Sequence, residues 1–461
     1  MGIIAAIMVP HPPLIIPEVG RGEEKNIQHT IDAYEEAARR IGERKPDTIV
    51  LLSPHQTMYA DYFHISPGER ASGDFGAFRA GQVRLEAAYD TDFVELLCQF
   101  AEGEGLAAGT LGEREKRLDH GTMVPLSFIN KFWTGYRLVR IGLSGLPLKE
   151  HYRLGQYIRQ TAETLERKTM VIGSGDLSHR LKEDGPYGFQ KEGPEYDRRI
   201  MEVMGKGDFL ELLEFSEDFC QKAGECGHRS FTILAGALDG LRVKSERLSY
   251  EGPFGVGYGV CVYEAGEEDP SRRFLEQYEE KVRLRLREQR EKEDAYVRLA
   301  RETIECYVRT GCLPKPPGEL PKELNERRAG VFVSIKKDGR LRGCIGTIQA
   351  VQASIAEEIR HNAVSACSQD PRFSPVRSEE LECLSVSVDV LGDTERIASP
   401  AELDVKRYGV IVTRGYRRGL LLPNLEGVNT VEEQIAIAKQ KAGIREDEEV
   451  ELQRFEVVRH V

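Results

Sequence analysis

The chain has 461 residues, of which 40% are apolar and 30% are charged. That length allows about three domains and a large buried core. The net charge of −12 argues against a general nucleic-acid binder. No segment approaches the ~18 consecutive apolar residues of a membrane helix, and the N-terminus lacks the basic stretch of a signal peptide. Nine cysteines without a C-x-x-C pair favour a reducing, cytoplasmic location.

The segment 1–264 alternates short apolar runs with longer amphipathic stretches, the pattern of an α/β domain around a central sheet. Its predicted strands are Ile3–Val9, Thr48–Leu52, Leu138–Leu143, Met170–Gly173 and a late, glycine-rich Gly255–Tyr263. Its predicted helices are Asn26–Arg44, Asp92–Glu102, His151–Arg167 and Phe231–Leu238.

A change in composition follows at residues 265–294, where charged residues dominate. Apolar residues recur every four positions there, so we expect a charged linker helix with one thin apolar stripe.

The segment 295–461 mixes strands and helices as in an α+β domain. Its predicted strands are Val331–Ile335, Leu341–Ile348, Leu384–Leu391 and Val410–Val412, and its predicted helices are Tyr296–Val308, Ala353–Ser368 and Val431–Ala442. Thr430 and Glu433 form a capping box that starts the last helix, and Gly443 ends it.

Three of the predicted strands in the first domain end in a histidine. His11 follows the first strand, His55 follows the second, and His179 closes the run SGDLSH after the strand at 170–173. Ligands of open α/β sheets bind beyond the carboxyl ends of the strands, so three imidazoles at one edge predict a shared site. Prolines on both sides of His11 and before His55 restrict the backbone there.

Two further regions carry candidate groups. His120, in the run DHGTMVPL, is expected in an exposed loop, free to face a ligand. The run Gly224–Arg229 offers an acid, Glu225, a thiol, Cys226, and an imidazole, His228. The remaining histidines of this domain, His29, His64 and His151, are expected at the surface.

Together the runs HPP, SPH, DHGTMVPL and SGDLSH resemble the class III extradiol dioxygenase superfamily with its LigB-like fold. The resemblance implies that His11 and His55 bind Fe(II), with another divalent metal such as zinc as the alternative. It implies that His179 is the acid–base residue and that His120 hydrogen-bonds substrate or oxygen. The implied substrate is a catechol-like or related small aromatic molecule.

The third metal ligand has two candidates. Glu225 would complete a two-histidine, one-carboxylate set and suits oxygen chemistry, since a thiolate is oxidised readily. Cys226 and Asp176 instead resemble the Memo branch of the superfamily, in which a cysteine replaces the acid. Glu225 is slightly favoured.

The run LRGCIG, residues 341–346, is the main candidate of the second domain. Residues two apart in a strand share a face, so Arg342 is expected beside Cys344, where a guanidinium favours the thiolate. Cys344 is therefore a candidate catalytic thiol, and an ordinary packed cysteine is the alternative. Asp370 and Arg372, in the turn QDPRF, are candidates for substrate binding together with Arg342.

This second domain resembles the AMMECR family from about Tyr296 to the C-terminus, in GVFVSIKKDGRLRGCIG, QDPRFSPV, YGVIV, RRGLLLP and EEQIAIAKQKAGI. A LigB-like domain fused to an AMMECR domain resembles the A-protein family of the AmmeMemoRadiSam system. That resemblance implies a Memo-like protein and a radical SAM enzyme as partners, beside a small-molecule substrate.

Three functions follow from these features: an Fe(II)-dependent dioxygenase-like enzyme, a non-oxygenase metalloenzyme, and a metal-binding adaptor. The sequence is compatible with a homo-oligomer.

Overall fold

The computed structural model of the chain describes residues 2–114, 117–316, 318–425 and 427–461. The chain divides into two compact units, Met1–Glu279 and Glu280–Val461. The division falls within one charged helix, Phe274–Glu291, whose buried residues are Phe274 and Leu275 at its start. No helix within the described residues is long and apolar enough to cross a membrane.

The elements of the first unit follow one another in mixed α/β order. They are β1 Ile3–Val9, α1 Pro17–Gly20, α2 Gln28–Arg44, β2 Thr48–Ser53, β3 Phe63–His64, β4 Arg70–Phe75, β5 Ala80–Ala88, α3 Thr91–Gly103, β6 Ala108–Gly109, α4 His120–Ile129, β7 Arg137–Gly142, α5 Leu148–Thr164, β8 Thr169–Ser174, α6 Glu192–Lys206, α7 Glu217–Ala223, α8 His228–Ala237, β9 Leu241–Glu251, β10 Tyr258–Glu268 and α9 Phe274–Glu291.

Six of these strands form a central sheet in the order β7-β2-β8-β1-β10-β9. The first four are mutually parallel, and β10 and β9 run antiparallel. The parallel strands are apolar and buried along nearly their whole length, because helices cover both faces of the sheet. Their carboxyl ends lie at one edge, which places the segments after β1, β2 and β8 together.

The second unit is a curled antiparallel sheet with helices. Its elements are α10 Ala295–Thr310, α11 Lys322–Glu326, β11 Val331–Lys337, β12 Arg340–Gly346, α12 Ile355–Ser368, β13 Leu384–Leu391, β14 Glu395–Ile397, β15 Tyr408–Arg414, β16 Arg417–Leu421, α13 Val431–Lys441 and β17 Glu451–His460. The strand order is β12-β11-β13-β17-β15-β16, with β14 beside β17. The fold classes expected from the sequence, α/β and then α+β, are confirmed, as is the Thr430–Glu433 capping box.

Two helices of the first unit, α5 and α8, pack unusually closely through glycines. A Cβ added at Gly236 would lie 2.0 Å from the Tyr152 carbonyl oxygen. We expect Gly236→Ala to force the helices apart and to lower the free energy of unfolding by about 1–3 kcal/mol. Gly103→Ala, at the end of α3 where a Cβ meets nothing within 4 Å, is the matched control and should be neutral or slightly stabilising. Urea unfolding followed by fluorescence of Trp133, the single tryptophan, measures both. Equal midpoints would contradict the close packing.

Candidate metal centre

His11 lies directly after β1, and its hydrogen bonds fix which ring nitrogen is free. Its Nδ1 lies 2.9 Å from the Ser174 hydroxyl at the end of β8. That hydroxyl donates its one proton to the Gly121 carbonyl at 2.6 Å, so it accepts from Nδ1–H of His11. Nε2 of His11 therefore carries a lone pair, the form in which histidine binds a metal. The His11 amide also donates to Asp176 at 2.8 Å.

Three imidazoles meet at this point. Nε2 of His11 lies 2.9 Å from Nε2 of His55, and the ring of His120 lies 3.9 Å from that of His55. One ligand nitrogen from each of the three rings lies within 4.8 Å of the others. Burial lowers the pKa of all three, that of His120 to about 4, and the neighbouring histidines add to the effect for His11 and His120. Neutral imidazoles whose nitrogens converge are suited to hold a divalent transition metal.

His120 belongs to this cluster as the first residue of α4, where it is half-buried. The prediction that it lies in an exposed loop was therefore wrong. Asp119 caps that helix, accepting the Thr122 amide at 3.0 Å. The same carboxylate accepts the Ser53 hydroxyl at 2.6 Å, which joins the start of α4 to the end of β2. His55 follows Ser53 by two residues, so one hydrogen-bonded unit orients both histidines.

The two candidates for the third ligand are placed differently. The Cys226 sulfur lies 3.7 Å from Nε2 of His11 and accepts the Asp176 amide at 3.3 Å. The Glu225 carboxylate accepts the His228 amide at 2.6 Å instead, at the start of α8. It lines a separate pocket of about 460 Å³ with Phe215 and other residues of the α7–α8 region. Burial raises the pKa of both groups, that of Glu225 to about 7. The structure thus brings Cys226, and not Glu225, to His11.

His179 lies on the same edge of the sheet. Its Nδ1 lies 2.6 Å from the Gly224 carbonyl, which can only accept, so Nδ1 carries the proton and Nε2 is left as an acceptor. A charge on His179 would lower the pKa of both His11 and His55, but its ring is not among the three whose ligand nitrogens converge. Burial lowers the pKa of His179 itself. A half-buried imidazole with a free lone pair can take a proton from a bound molecule.

A pocket of about 240 Å³ opens beside His55 and is lined by Gln56, His64, Arg117, Arg140 and Asp119, among others. Arg140 is buried and donates to the Ser66 hydroxyl at 2.9 Å. The pocket gives the histidine cluster an accessible side.

Several other histidines are structural. His228 donates from Nε2 to the Leu212 carbonyl at 2.9 Å, and its Nδ1 lies 3.2 Å from the Tyr196 hydroxyl, so neither nitrogen is free. The expectation that His64 and His151 lie at the surface was wrong, because both are buried. The roles of Ser174 and Asp119 in orienting the histidines were not predicted from the sequence. The role of Asp119 could have been identified, because an aspartate three residues before Thr122 is a helix-capping signal.

The candidates of the second unit also lie differently from expectation. The Arg342 guanidinium binds Glu380 at 2.9 and 3.1 Å and the Ser374 carbonyl at 2.8 Å. Arg372 instead donates to the Cys344 carbonyl at 3.0 Å while it holds Asp370. The pairing of Arg342 with the Cys344 thiol is corrected: strand alternation puts both on one face, but Glu380 takes the guanidinium.

Comparison with known families accounts for both units. Residues 5–261 match the family described as the catalytic LigB subunit of aromatic ring-opening dioxygenase. Residues 297–460 match the AMMECR1 family.

Individual proteins extend these matches. Protein CA_C1420 of Clostridium acetobutylicum is 43% identical over 468 aligned residues, covering 100% of this chain and 99% of its own. A Thermotoga maritima protein is 54% identical over 170 residues, 36% of this chain and 98% of its own. Among solved structures, uncharacterized protein PH0010 of Pyrococcus horikoshii is 36% identical over 36% of this chain and 88% of its own, with a TM-score of 0.34. Uncharacterized protein JW3007 of Escherichia coli K12 is 14% identical over 56% of this chain and 99% of its own, with a TM-score of 0.37.

The LigB match spans more than half of the chain and contains every histidine of the cluster. The chain therefore belongs to the LigB family and carries an AMMECR1 domain in its C-terminal part.

Proposed function

We propose that the first unit is an Fe(II)-dependent enzyme of the ring-opening dioxygenase type that acts on a catechol-like or related small aromatic molecule. The observation that carries this proposal is the convergence of His11, His55 and His120 at the carboxyl ends of the parallel strands. Burial lowers the pKa of all three imidazoles, which favours the neutral form that binds a metal, and the chain belongs to the LigB family.

The residues present fit a metal of this kind. His11 and His55 would hold it, with Cys226 as the third ligand, and His120 would hydrogen-bond a bound substrate. When bound, Fe(II) would supply a Lewis-acid centre and a reductant for oxygen. His179 would take a proton from a substrate hydroxyl at Nε2, because Gly224 fixes its Nδ1 as the donor. Burial keeps His179 neutral at pH 7 and ready to accept that proton.

A second candidate function is favoured by Cys226. A thiolate beside a metal that reacts with oxygen is oxidised readily, whereas a thiolate with histidines is a common ligand set for redox-inert zinc. The first unit would then be a non-oxygenase metalloenzyme in which the metal activates water or a carbonyl group. His179 keeps the same role as a proton acceptor in both functions.

Metal exchange separates the two functions. Protein purified without oxygen is loaded with Fe(II) or with Zn(II), and oxygen uptake is recorded after addition of catechol. The dioxygenase proposal expects uptake and a ring-opened product with Fe(II) only. Fe(II) protein that forms no ring-opened product and consumes only the oxygen that oxidises its own Cys226, seen in mass spectra, would overturn it in favour of the second function. The predicted partners, a Memo-like protein and a radical SAM enzyme, stay predictions.

The third ligand can be tested by itself. We expect Cys226→Ala to weaken metal binding at least about tenfold, because its sulfur lies beside His11. Glu225→Gln is the matched control: it should leave metal affinity unchanged, since the amide oxygen can still accept the His228 amide. Metal titration of the two variants against a chromogenic chelator measures the difference. Metal loss in Glu225→Gln with retention in Cys226→Ala would reverse the assignment.

A further inference from the structure

Two cysteines of the second unit meet where α10 ends. Cys306 lies in the last turns of α10, and Cys312 is the second residue after the helix. The Cys306 thiol donates to the Cys312 carbonyl oxygen at 3.9 Å and lies 3.8 Å from the Thr310 hydroxyl. Both cysteines are free thiols. The two residues are therefore in direct contact, although six positions separate them in the sequence.

The way in which α10 ends explains this contact. Gly311 takes the left-handed conformation with a φ of 71°, and its amide donates to the Tyr307 carbonyl at 2.7 Å. A left-handed glycine at a helix end turns the chain back, and the residue after it commonly packs against a residue of the last turn. In this chain both residues of that contact are cysteines, Cys306 and Cys312.

Thr310 fixes the backbone of both cysteines. Its hydroxyl donates to the Cys306 carbonyl at 2.7 Å and accepts the Cys312 amide at 3.2 Å. Because the two backbone segments are already held side by side, we expect that rotation about side-chain bonds is enough to bring the two sulfur atoms together.

The two thiols differ in their exposure. Cys312 is exposed, and Cys306 is half-buried beside it. In thiol–disulfide exchange an accessible thiolate attacks one sulfur of a disulfide, and a second thiol then displaces the mixed disulfide that results. Exposure therefore suits Cys312 to the first step and contact suits Cys306 to the second. Cys383 is also exposed, but among the described residues it has no hydrogen bond to another cysteine.

We propose that Cys306 and Cys312 form a redox pair, which a small disulfide of the glutathione type oxidises to an internal disulfide. Disulfides in reducing compartments are usually transient and redox-sensing rather than structural, and a contact pair at a helix end suits that role. This chemistry is separate from that of the metal centre in the first unit.

The reaction takes place in two exchange steps. The Cys312 thiol loses its proton to water, and its sulfur forms a bond to one sulfur of the small disulfide, whose S–S bond breaks and releases one thiolate. The Cys306 sulfur, after losing its own proton, attacks the Cys312 sulfur and releases the second thiolate. Both leaving thiolates take up a proton. The two cysteines are oxidised to one disulfide, and the small disulfide is reduced to two thiols.

The internal disulfide would act on the segment that follows. The proline-rich loop begins directly after Cys312, and Arg360 of α12 donates to the Pro314 carbonyl. Oxidation would therefore tie the start of this loop to α10, while Arg360 already ties it to α12.

The test exposes the full chain, purified without oxygen, to a mixture of reduced and oxidised glutathione, and stops the exchange with N-ethylmaleimide. Trypsin cuts after Arg309, between the two cysteines, so the internal disulfide joins peptides 302–309 and 310–322 in the mass spectrum. We expect this joined peptide from the native protein, whereas Cys383 should gain one glutathione and keep it.

Dilution distinguishes a pair from a single thiol and needs no variant. Closing the pair releases two reduced glutathione molecules for each oxidised one, whereas a mixed disulfide at Cys383 releases one. When both forms of glutathione are diluted about tenfold together, the oxidised-to-reduced ratio of the pair should therefore rise about tenfold, and that of Cys383 should stay the same.

Cys306→Ser removes the second thiol and keeps a hydrogen-bonding group in its place. Cys312 should then stop at the mixed disulfide and hold glutathione with no response to dilution, as Cys383 does. Cys383→Ser is the matched control and should leave the joined peptide unchanged. A native chain in which Cys312 itself keeps glutathione would overturn the proposal, as would a joined peptide that forms only after denaturant is added.

Discussion

Replacing His11 and His55 together with alanine is expected to reduce bound metal from about one ion per chain to less than about a tenth. Two of the converging nitrogens are then lost, and His120 and Cys226 alone cannot hold a divalent ion in place. Removing His11 also leaves the Ser174 hydroxyl without its ring partner. Metal is measured by mass spectrometry of protein purified without oxygen and without chelator.

The control for this change is His29→Ala, which removes an exposed histidine of α2 that lies outside the cluster. It should keep the full metal content. Far-ultraviolet circular dichroism and Trp133 fluorescence must show that the double variant is folded, because His11 is buried. Full metal occupancy in a folded His11→Ala/His55→Ala protein would exclude this site and, with it, the proposed function.

The parallel strands could be predicted from the sequence because each is a short apolar run buried on both faces. β1 and β13 were predicted to the residue, and β2 within one residue. Two long strands, β9 and β17, were missed: they alternate irregularly between exposed and half-buried residues, so their hydrophobic period is weak. The helix α4 was not predicted, because Gly121 and Pro125 lie inside it and both disfavour a helix. In the folded protein, contacts on nearly all of its sides stabilise it.

The residues of the candidate site were also predicted only in part. Strand-end histidines could be recognised, since strand direction alone brings them to one edge. Glu225 was slightly favoured over Cys226 from the sequence, and the structure reverses that order: adjacent residues in a turn point in different directions, and Cys226 is the one that lies beside His11. The partners of the Cys344 backbone were also not predicted: Asp370 accepts its amide and Arg372, 28 residues away in sequence, donates to its carbonyl.

His179→Ala is expected to keep its metal and to lose about 10²–10⁴-fold in turnover of the catechol-like substrate. The ring contributes a proton acceptor at Nε2, and it is no required ligand, because the ligand nitrogens that converge within 4.8 Å among the described residues are those of His11, His55 and His120. Added imidazole should restore part of the rate by occupying the space the ring leaves. Metal content measured on the same sample separates the two roles: loss of metal together with the rate would make His179 a ligand.

The pH profile gives an independent readout for His179. A general base must be neutral, so activity is lost as the pH falls through the pKa of the acceptor. Burial lowers the pKa of His179 from its ordinary value of 6.5, so the acidic limb of the profile should lie below pH 6.5. In His179→Ala rescued by imidazole, the limb should move up toward the pKa of free imidazole, because the small molecule is in exchange with solvent. The same limb in both proteins would show that another group limits the rate, and the proton acceptor would have to be sought among His55 and His120.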